Sequence, residues 1–377
     1  MNGFMFRDQE IRRIQTALQR KESVLLTGIC RIGKTALMKE IVRRHNATHS
    51  GKAVYLDVSD YIRLYDFYDE LLAGMPKPFI KHMAYLLQTA QSIPDVGMNW
   101  LRRHIDGASK IKLREPVDEA TVIRYWEPIA KAMLESLEAS SDSNEIPFFV
   151  IDEFPYMLKN LLDRKVPAEE VAVALAMLRK LRDSGIPMLL SSSISLENLL
   201  ALHTIPHTVL GGLQRESLRP FTRSEARSYL EARLADHPTA VEIDLVLARL
   251  PDYIPDFLNQ SVHYLNGLPD ASNVDVVMDN EVLPAIRRSF DEPFQERLTR
   301  NYPDPVERFC AEQMLDQLAR APETGTPIDT SKLPPIHPQA LTKLKHDMFI
   351  EEASSHGYRF TLNALRLWWC SQRGMAG

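Results

Sequence analysis

The segment Gly28–Thr35 constrains the fold of this chain more than any other stretch of the sequence. Its letters, GICRIGKT, fit the pattern G-x-x-x-x-G-K-[ST]. The apolar run Ser23–Thr27 precedes the segment, and the helical pattern of Ala36–Val42 follows it. The sequence therefore predicts a strand, a glycine-containing loop and a helix in direct succession.

The residue types of this loop suit a polyphosphate ligand. Backbone N–H groups and the N-terminus of a helix both favour concentrated negative charge. Gly28 and Gly33 allow a close approach of the backbone and a positive φ. Lys34 is expected to reach the β- and γ-phosphates, and the Thr35 hydroxyl to hold Mg²⁺. The predicted nucleotide contacts are Gly28, Ile29, Cys30, Arg31, Ile32, Gly33, Lys34, Thr35 and Ala36.

A second informative stretch is Pro147–Pro155, a nearly continuous apolar run interrupted by Asp152 and Glu153. Such runs are typical of a parallel strand that is buried on both faces. Asp152 is expected to hold the Mg²⁺ shell, and Glu153 to orient or deprotonate the attacking water. The alternatives are a chance glycine turn and an exposed acidic turn. The presence of both motifs in their expected contexts favours a nucleotide hydrolase over these alternatives.

Other apolar runs predict further strands of the same sheet. Ala53–Val58 is expected to be the second strand, and Gly185–Ser193 a strand beside the one that ends at Asp152. Ser192 or Ser193, at the end of that strand, is a candidate sensor of the γ-phosphate. A serine run is also an ordinary way to open a loop, so this alternative stays open.

Composition limits the class of protein. The chain has 377 residues, a formal net charge of −5 and ordinary hydrophobic and charged fractions, which predict a globular protein of two or three domains. Its three cysteines are too few and too scattered for a disulfide framework or a zinc site, which favours a reducing compartment. No secretory signal or long apolar span is recognisable, so a cytoplasmic protein without membrane contact is expected.

Changes of pattern divide the chain into three predicted domains. Residues 1–217 form an α/β core with a helical insertion at about 62–140. The basic piece Arg102–Arg114 of this insertion is expected to be a solvated face. Residues 218–301 show helical periodicity throughout and predict a helical second domain. In residues 302–377, helical segments precede two alternating strands around a polar turn, which suggests a winged-helix unit.

Taken together, these residues resemble the STAND-type P-loop ATPases, the bacterial and archaeal branch close to AAA+ and initiator-like ATPases. The resemblance covers most of the chain. Beyond the two motifs it includes an opening box at Phe6–Glu10 and the segment after the fourth core strand at Ser193–Glu197. It also includes the lid entry at Leu218–Phe221 and the G-x-P-x-x-L lid motif at Tyr253–Leu258. A closing wing and helix follow at Tyr358–Phe360 with Trp368.

The resemblance implies an α/β P-loop NTPase core of the AAA+/STAND type, followed by an all-α lid and a winged-helix domain. It implies ATP and Mg²⁺ as cofactors, with Pro255 of the lid among the nucleotide contacts. The family glycine ahead of this proline is replaced around Asp252 and Tyr253. No arginine finger can be placed, so the resemblance predicts an ATPase that is slow until it assembles.

The resemblance also implies a nucleotide-controlled switch that acts on a partner protein or on its own assembly, in defence or stress signalling. The alternative is an ATPase that binds or loads DNA through the winged helix. Residues 301–377 contain eight Lys or Arg against nine Asp or Glu. Because DNA-binding modules are usually basic, DNA is the less favoured partner on this count.

Overall fold

A computed structural model gives the structure of the chain. It describes residues 6–48, 53–75, 77–89, 128–129, 131–132, 135–136, 148–235, 241–267, 273–320, 328–329, 333–353 and 357–375. The chain divides into two compact units. The sheet unit is Met1–Thr27 with Lys34–Ser217, and the C-terminal unit is Gly28–Gly33 with Leu218–Gly377.

Five strands of the sheet unit form one parallel sheet in the order β2-β3-β4-β1-β5. Their bounds are β1 Val24–Thr27, β2 Ala53–Asp57, β3 Phe148–Asp152, β4 Met188–Ser192 and β5 Gln214–Ser217. The predicted parallel α/β sheet is confirmed. The sequence also predicted correctly that the strand ending in the serine run lies beside the strand that ends at Asp152.

Helices connect and flank the strands of the sheet. They are α1 Asp8–Gln19, α2 Lys34–Thr48, α3 Leu64–Ala73, α4 Lys77–Thr89, α5 Phe154–Asp163, α6 Ala168–Asp183 and α7 Leu196–Leu202, with a 3₁₀ turn at His207–Leu210. Helix α1 buries Ile11, Ile14 and Leu18 at the three- and four-residue spacing of an amphipathic helix. Helices α3 and α4 lie in the predicted insertion, whose basic piece Arg102–Arg114 lies outside the described residues.

Strands β3 and β4 form the centre of the core, and every residue of both is buried. Phe149 pairs in register with Met188, and Ile151 with Leu190. Burial on both faces explains the continuous apolar runs, since a parallel sheet covered by helices has no solvent face. The same register brings the ends of β1, β3 and β4 to one edge of the sheet, where β3 ends at Asp152 and β4 at Ser192.

The C-terminal unit is mostly helical. Its elements are α8 Arg223–Leu234, α9 Ile243–Arg249, α10 Pro255–Asn266, α11 Val274–Val277, a π-helical turn at Met278–Val282, α12 Leu283–Asn301, α13 Pro305–Ala319, α14 His337–His346, β6 Ile350–Ala353, β7 Gly357–Phe360 and α15 Asn363–Arg373. A capping box begins α8, since Thr222 and Glu225 each bond the other's backbone N–H.

The last part of this unit contains the antiparallel pair β6 and β7 and the final helix α15. Trp368 and Trp369 of α15 are buried, and their indole N–H groups donate to Asp291 and Asp316, each at 2.9 Å. Buried indoles usually have such partners. The winged-helix assignment of these elements stays a prediction. Among the helices in the described part of the chain, none has the length and hydropathy needed to cross a membrane.

Candidate nucleotide-binding site

The phosphate loop leaves β1 and leads directly into helix α2. Gly33 has φ of +98° and Arg31 has φ of +67°. A positive φ is easily adopted by glycine, whereas at Arg31 it is an unusual conformation for a residue with a side chain. Helix α2 begins at Lys34, which is buried, and Thr35 follows it half-buried in the first turn. The predicted phosphate-binding residues therefore lie at a helix N-terminus, where anions bind.

Within the C-terminal unit, the loop contacts the start of helix α10. The Arg31 guanidinium pairs with the Asp256 carboxylate at 3.2 Å, and the Gln260 amide donates to the same carboxylate at 2.6 Å. A Cβ at Gly33 would lie 3.7 Å from Cγ of Pro255. The structure therefore places Pro255, the lid residue predicted to contact nucleotide, beside the second glycine of the loop. Its role as a nucleotide contact stays a prediction.

Asp152 ends β3 as a buried carboxylate with three donors. Ser191 Oγ and the backbone N–H of Glu153, at 3.1 Å, donate to Oδ1. The Tyr55 hydroxyl donates to Oδ2 at 2.7 Å. These donors are neutral, so they hold the carboxylate in place without cancelling its charge.

Glu153 occupies the sharp turn between β3 and helix α5, with φ of +55° and ψ of +38°. Pro155, which suits the first turn of a helix, follows it. The Ser193 hydroxyl donates to Oε1 of Glu153. Oε2 is buried and has no hydrogen-bond partner among the described residues. A buried acceptor without a donor is costly, so Oε2 is suited to accept a proton from a bound water.

The three serines at the end of β4 have three different contacts. Ser193 reaches Glu153, whereas the Ser192 hydroxyl donates to the backbone carbonyl of Ile194. The role of either residue as a γ-phosphate sensor stays a prediction. Ser191, which the sequence analysis did not single out, contacts Asp152 instead. The period of two along a strand, which places residues 191 and 193 on the same side, is the signal that would have indicated it.

Tyr55 of β2 is the other residue that the sequence analysis missed. Burial, and then its hydrogen bond to Asp152, raise the pKa of the Tyr55 phenol well above its ordinary value. The phenol therefore keeps its proton near neutral pH and remains a donor. Lys39 Nζ of helix α2 lies 5.1 Å from the centre of the Tyr55 ring, within cation–π range. Tyr55 thus touches both the helix that follows the phosphate loop and the acidic strand end.

The donor set fits Mg²⁺ bound together with a nucleotide. Thr35 and Asp152 offer oxygen atoms, the ligand type that Mg²⁺ prefers. No group of three or more His, Cys, Asp or Glu side chains that could hold a metal occurs within the ranges that the structure describes. Mg²⁺ usually takes only one or two protein ligands beside phosphates and water, so this small set is sufficient.

Asp252, named in the sequence analysis, and Arg215 of β5 both have defined contacts. Asp252, near the position of the family glycine, accepts hydrogen bonds from the backbone N–H groups of Asn363 at 3.3 Å and Ala364 at 2.7 Å. It therefore caps the N-terminus of helix α15. Arg215 of β5 pairs with Glu197 at the surface. Asp252 thus has a structural role within the C-terminal unit.

Comparisons with known proteins identify the fold. No family model matches the sequence, and no curated protein matches it. The structure is similar to a Walker-type ATPase of Pyrococcus abyssi with 17% identity and a TM-score of 0.58, over 97% of this chain and 96% of that chain.

Two other solved structures are more distant. The ORC2 protein of Aeropyrum pernix, in ADPNP–ADP complexes, has 15% identity and a TM-score of 0.48, over 99% of this chain and 96% of that chain. Drosophila ORC bound to DNA has 13% identity and a TM-score of 0.39, over 99% and 96%. Scores below 0.5 add nothing to the assignment. The chain therefore has the α/β fold of a Walker-type ATPase.

Proposed function

We propose that this protein binds ATP with Mg²⁺ and hydrolyses it. The observation that carries the proposal is the pair of carboxylates at the end of β3. Asp152 is held by three neutral donors, and beside it Glu153 keeps one buried oxygen for which the described residues offer no hydrogen-bond partner. A fixed anion next to an unsatisfied base is the arrangement that metal-assisted hydrolysis needs. An ordinary acidic turn would expose both carboxylates to water.

The proposal gives each residue a role. Backbone N–H groups of the phosphate loop and of the first turn of α2 bind the phosphates, and Lys34 adds a positive charge. Thr35 and Asp152 hold Mg²⁺, which neutralises charge on the β- and γ-phosphates when bound. Glu153 Oε2 accepts a hydrogen bond, and then the proton, from the water that attacks the γ-phosphate. Ser193 fixes the carboxylate of Glu153 through Oε1.

Nucleotide binding by Lys34→Ala tests the proposal. We expect the affinity for ATP with Mg²⁺ to fall about 30-fold or more, because a buried cation that faces phosphate is lost. The measurement is a titration with a fluorescent ATP analogue. Arg43→Ala is the matched control, since Arg43 lies exposed on the same helix and pairs with Glu40. Equal affinities in wild type and Lys34→Ala, or no binding by the wild type, would refute the proposal.

What the ATPase acts on is a second part of the proposal, with two candidates. One is a nucleotide-controlled switch that acts on a partner protein or on its own assembly, in defence or stress signalling, with an AAA+ or STAND organisation. The other is an ATPase that binds or loads DNA through the C-terminal elements.

The surface of the C-terminal unit bears on this choice. Four of its cations pair with carboxylates in the described part of residues 302–375, which lowers the positive charge left for phosphates. The pairs are Lys343–Glu307, Lys345–Glu352, Arg359–Glu351 and Arg373–Glu312. Binding to DNA would then be weak unless nucleotide or assembly adds further cations to the interface.

Two measurements distinguish the candidates. The first is a titration of duplex DNA with the protein at 50 and 200 mM NaCl, with ATP, with ADP and without nucleotide. Binding that weakens with salt supports action on DNA. The second is particle size by light scattering in the same three nucleotide states, without DNA. A change in size with no DNA binding supports a switch that works through assembly.

A further inference from the structure

The hydrogen bonds of Asp152 are distributed unequally over its two oxygen atoms. An ionised carboxylate oxygen can accept about two hydrogen bonds. Oδ1 already accepts two, from Ser191 Oγ and from the backbone N–H of Glu153. Oδ2 accepts one, from the Tyr55 hydroxyl at 2.7 Å. Counting donors from the described residues, one acceptor position of Asp152 therefore remains, and it is on Oδ2.

We propose that Tyr55 is a positioning residue that turns Oδ2 of Asp152 toward Mg²⁺ or one of its water ligands. This inference rests on the proposed function, since it names the chain's own contribution to metal binding. The Tyr55 hydroxyl fills one lone-pair direction of Oδ2, and its bond fixes the direction of the other. Ser191 and Glu153 make Oδ1 the structural oxygen of the same carboxylate.

The position of Tyr55 supports this role rather than a purely structural one. Strand β2 pairs with β3 in parallel, with Tyr55 opposite Val150 and Asp57 opposite Asp152. The phenol therefore reaches the strand end from two residues earlier on the neighbouring strand. The buried carboxylate already has two donors on Oδ1, so Tyr55 is not its sole source of hydrogen bonds. What Tyr55 adds is an orientation for the second oxygen.

The ring of Tyr55 is itself restrained. It packs near Lys39 of helix α2, with Nζ 5.1 Å from the ring centre. Helix α2 also carries Lys34 and Thr35 at its first two positions. The side chain that orients Asp152 is thus in contact with the helix that supplies the other predicted metal ligand. Partners that orient a metal ligand typically affect metal affinity or activity about 10- to 100-fold.

The test uses Tyr55→Phe, which removes one hydroxyl and keeps the ring. Mn²⁺ serves as the probe, and its binding in the presence of AMPPNP is followed by electron paramagnetic resonance. We expect the affinity for Mn²⁺ to fall about 10-fold. The affinity for AMPPNP in EDTA is expected to stay within twofold of wild type. Tyr61→Phe is the matched control, since Tyr61 is half-buried nearby in the sheet unit and its hydroxyl has no hydrogen bond to Asp152.

A double-mutant cycle shows whether Tyr55 acts through Asp152. In an Asp152→Asn background, Tyr55→Phe is expected to cause no further loss of Mn²⁺ affinity, because the oriented oxygen is gone. An additive loss would overturn the inference. So would an unchanged Mn²⁺ affinity in Tyr55→Phe, or a parallel fall in AMPPNP affinity in EDTA, which indicates general damage to the site. If wild type binds no AMPPNP, the proposed function itself fails.

Discussion

The acidic strand end of the sheet unit and the surface of the C-terminal unit use polar side chains in opposite ways. Asp152 and Glu153 are bonded by hydroxyl and backbone donors, all of them neutral. In the C-terminal unit, by contrast, carboxylates such as Glu351 and Glu352 pair with exposed Arg359 and Lys345. The first arrangement preserves negative charge at a buried position, and the second neutralises charge at the surface.

The contrast is between carboxylates that can still bind a cation and carboxylates that already have a cationic partner. A carboxylate held by neutral donors still attracts a cation, because its charge is intact and little water screens it. An exposed ion pair has a partner already and contributes little to stability. We therefore expect large functional effects at the strand end, and in the C-terminal unit small stability effects wherever an ion pair is exposed.

The largest expected effect is that of Glu153→Gln on hydrolysis. The amide cannot accept the proton of the attacking water, so we expect kcat to fall about 100- to 10,000-fold while ATP still binds. Phosphate release at saturating ATP measures the first quantity, and retention of labelled ATP on a spin column measures the second. Glu169→Gln, an exposed change in the first turn of α6, is the control. Turnover like wild type would show that Glu153 is not the base.

Lys343→Met tests a partly buried ion pair of the C-terminal unit. Lys343 Nζ lies 2.7 Å from Glu307, whose side chain is 7% exposed. Removing the cation leaves a buried carboxylate, so we expect the free energy of unfolding to fall by about 3 kcal/mol. Urea denaturation measures the change.

The double variant Lys343→Met with Glu307→Leu completes this test. Because both charges are then absent, we expect it to recover most of the stability that Lys343→Met loses. If the double variant is as unstable as the single one, packing of the two side chains, and not the unpaired charge, accounts for the loss.

A smaller effect is expected for Ser193→Ala. Oε1 of Glu153 loses its donor, so the base is held less well, and we expect kcat to fall about 10-fold with KM unchanged, as for the loss of about one hydrogen bond to a charged group. Steady-state kinetics separate the two constants. Ser184→Ala, at the end of α6, is the control. A change in KM alone would instead indicate that Ser193 contacts the nucleotide.

The smallest effect is expected for Arg359→Ala. Arg359 pairs with Glu351 across β6 and β7, and both side chains are substantially exposed. We expect the free energy of unfolding to change by less than about 1 kcal/mol. Denaturation at 50 and 500 mM NaCl is the measurement, and the small difference from wild type is expected to shrink at high salt. A loss of unfolding free energy above 2 kcal/mol would show that this ion pair matters more to the fold than an exposed pair should.

The sequence predicted the parts of the site that depend on local pattern. The phosphate loop, Asp152 and the adjacent serine strand follow from glycine spacing, apolar runs and the meeting of parallel strand ends at one edge. Tyr55 did not follow, because an aromatic residue in a strand normally indicates packing. Its bond to Asp152 spans 97 positions and depends on which strands are neighbours. Ser191 was missed because pleat and register decide which serine faces a carboxylate.

The C-terminal unit shows the same division between local and distant information. The helical character of residues 218–301 and the final strand pair were predicted from short-range patterns. The cap that Asp252 provides for helix α15 was not predicted, because its partners lie 111 and 112 residues away. Side-chain contacts between residues so far apart in the sequence depend on how the helices pack, and no short-range sequence pattern predicts them.

The run Ser191–Ser193 also determines how well this protein tolerates substitutions at three successive positions. Three identical residues have three different contacts: the hydroxyl of Ser191 bonds Asp152, that of Ser192 bonds a backbone carbonyl, and that of Ser193 bonds Glu153. A selection that scores every substitution at these positions would therefore return three distinct profiles for one amino acid. Substitution of each of these neighbouring serines would therefore have a different effect, although the three residues are identical in sequence.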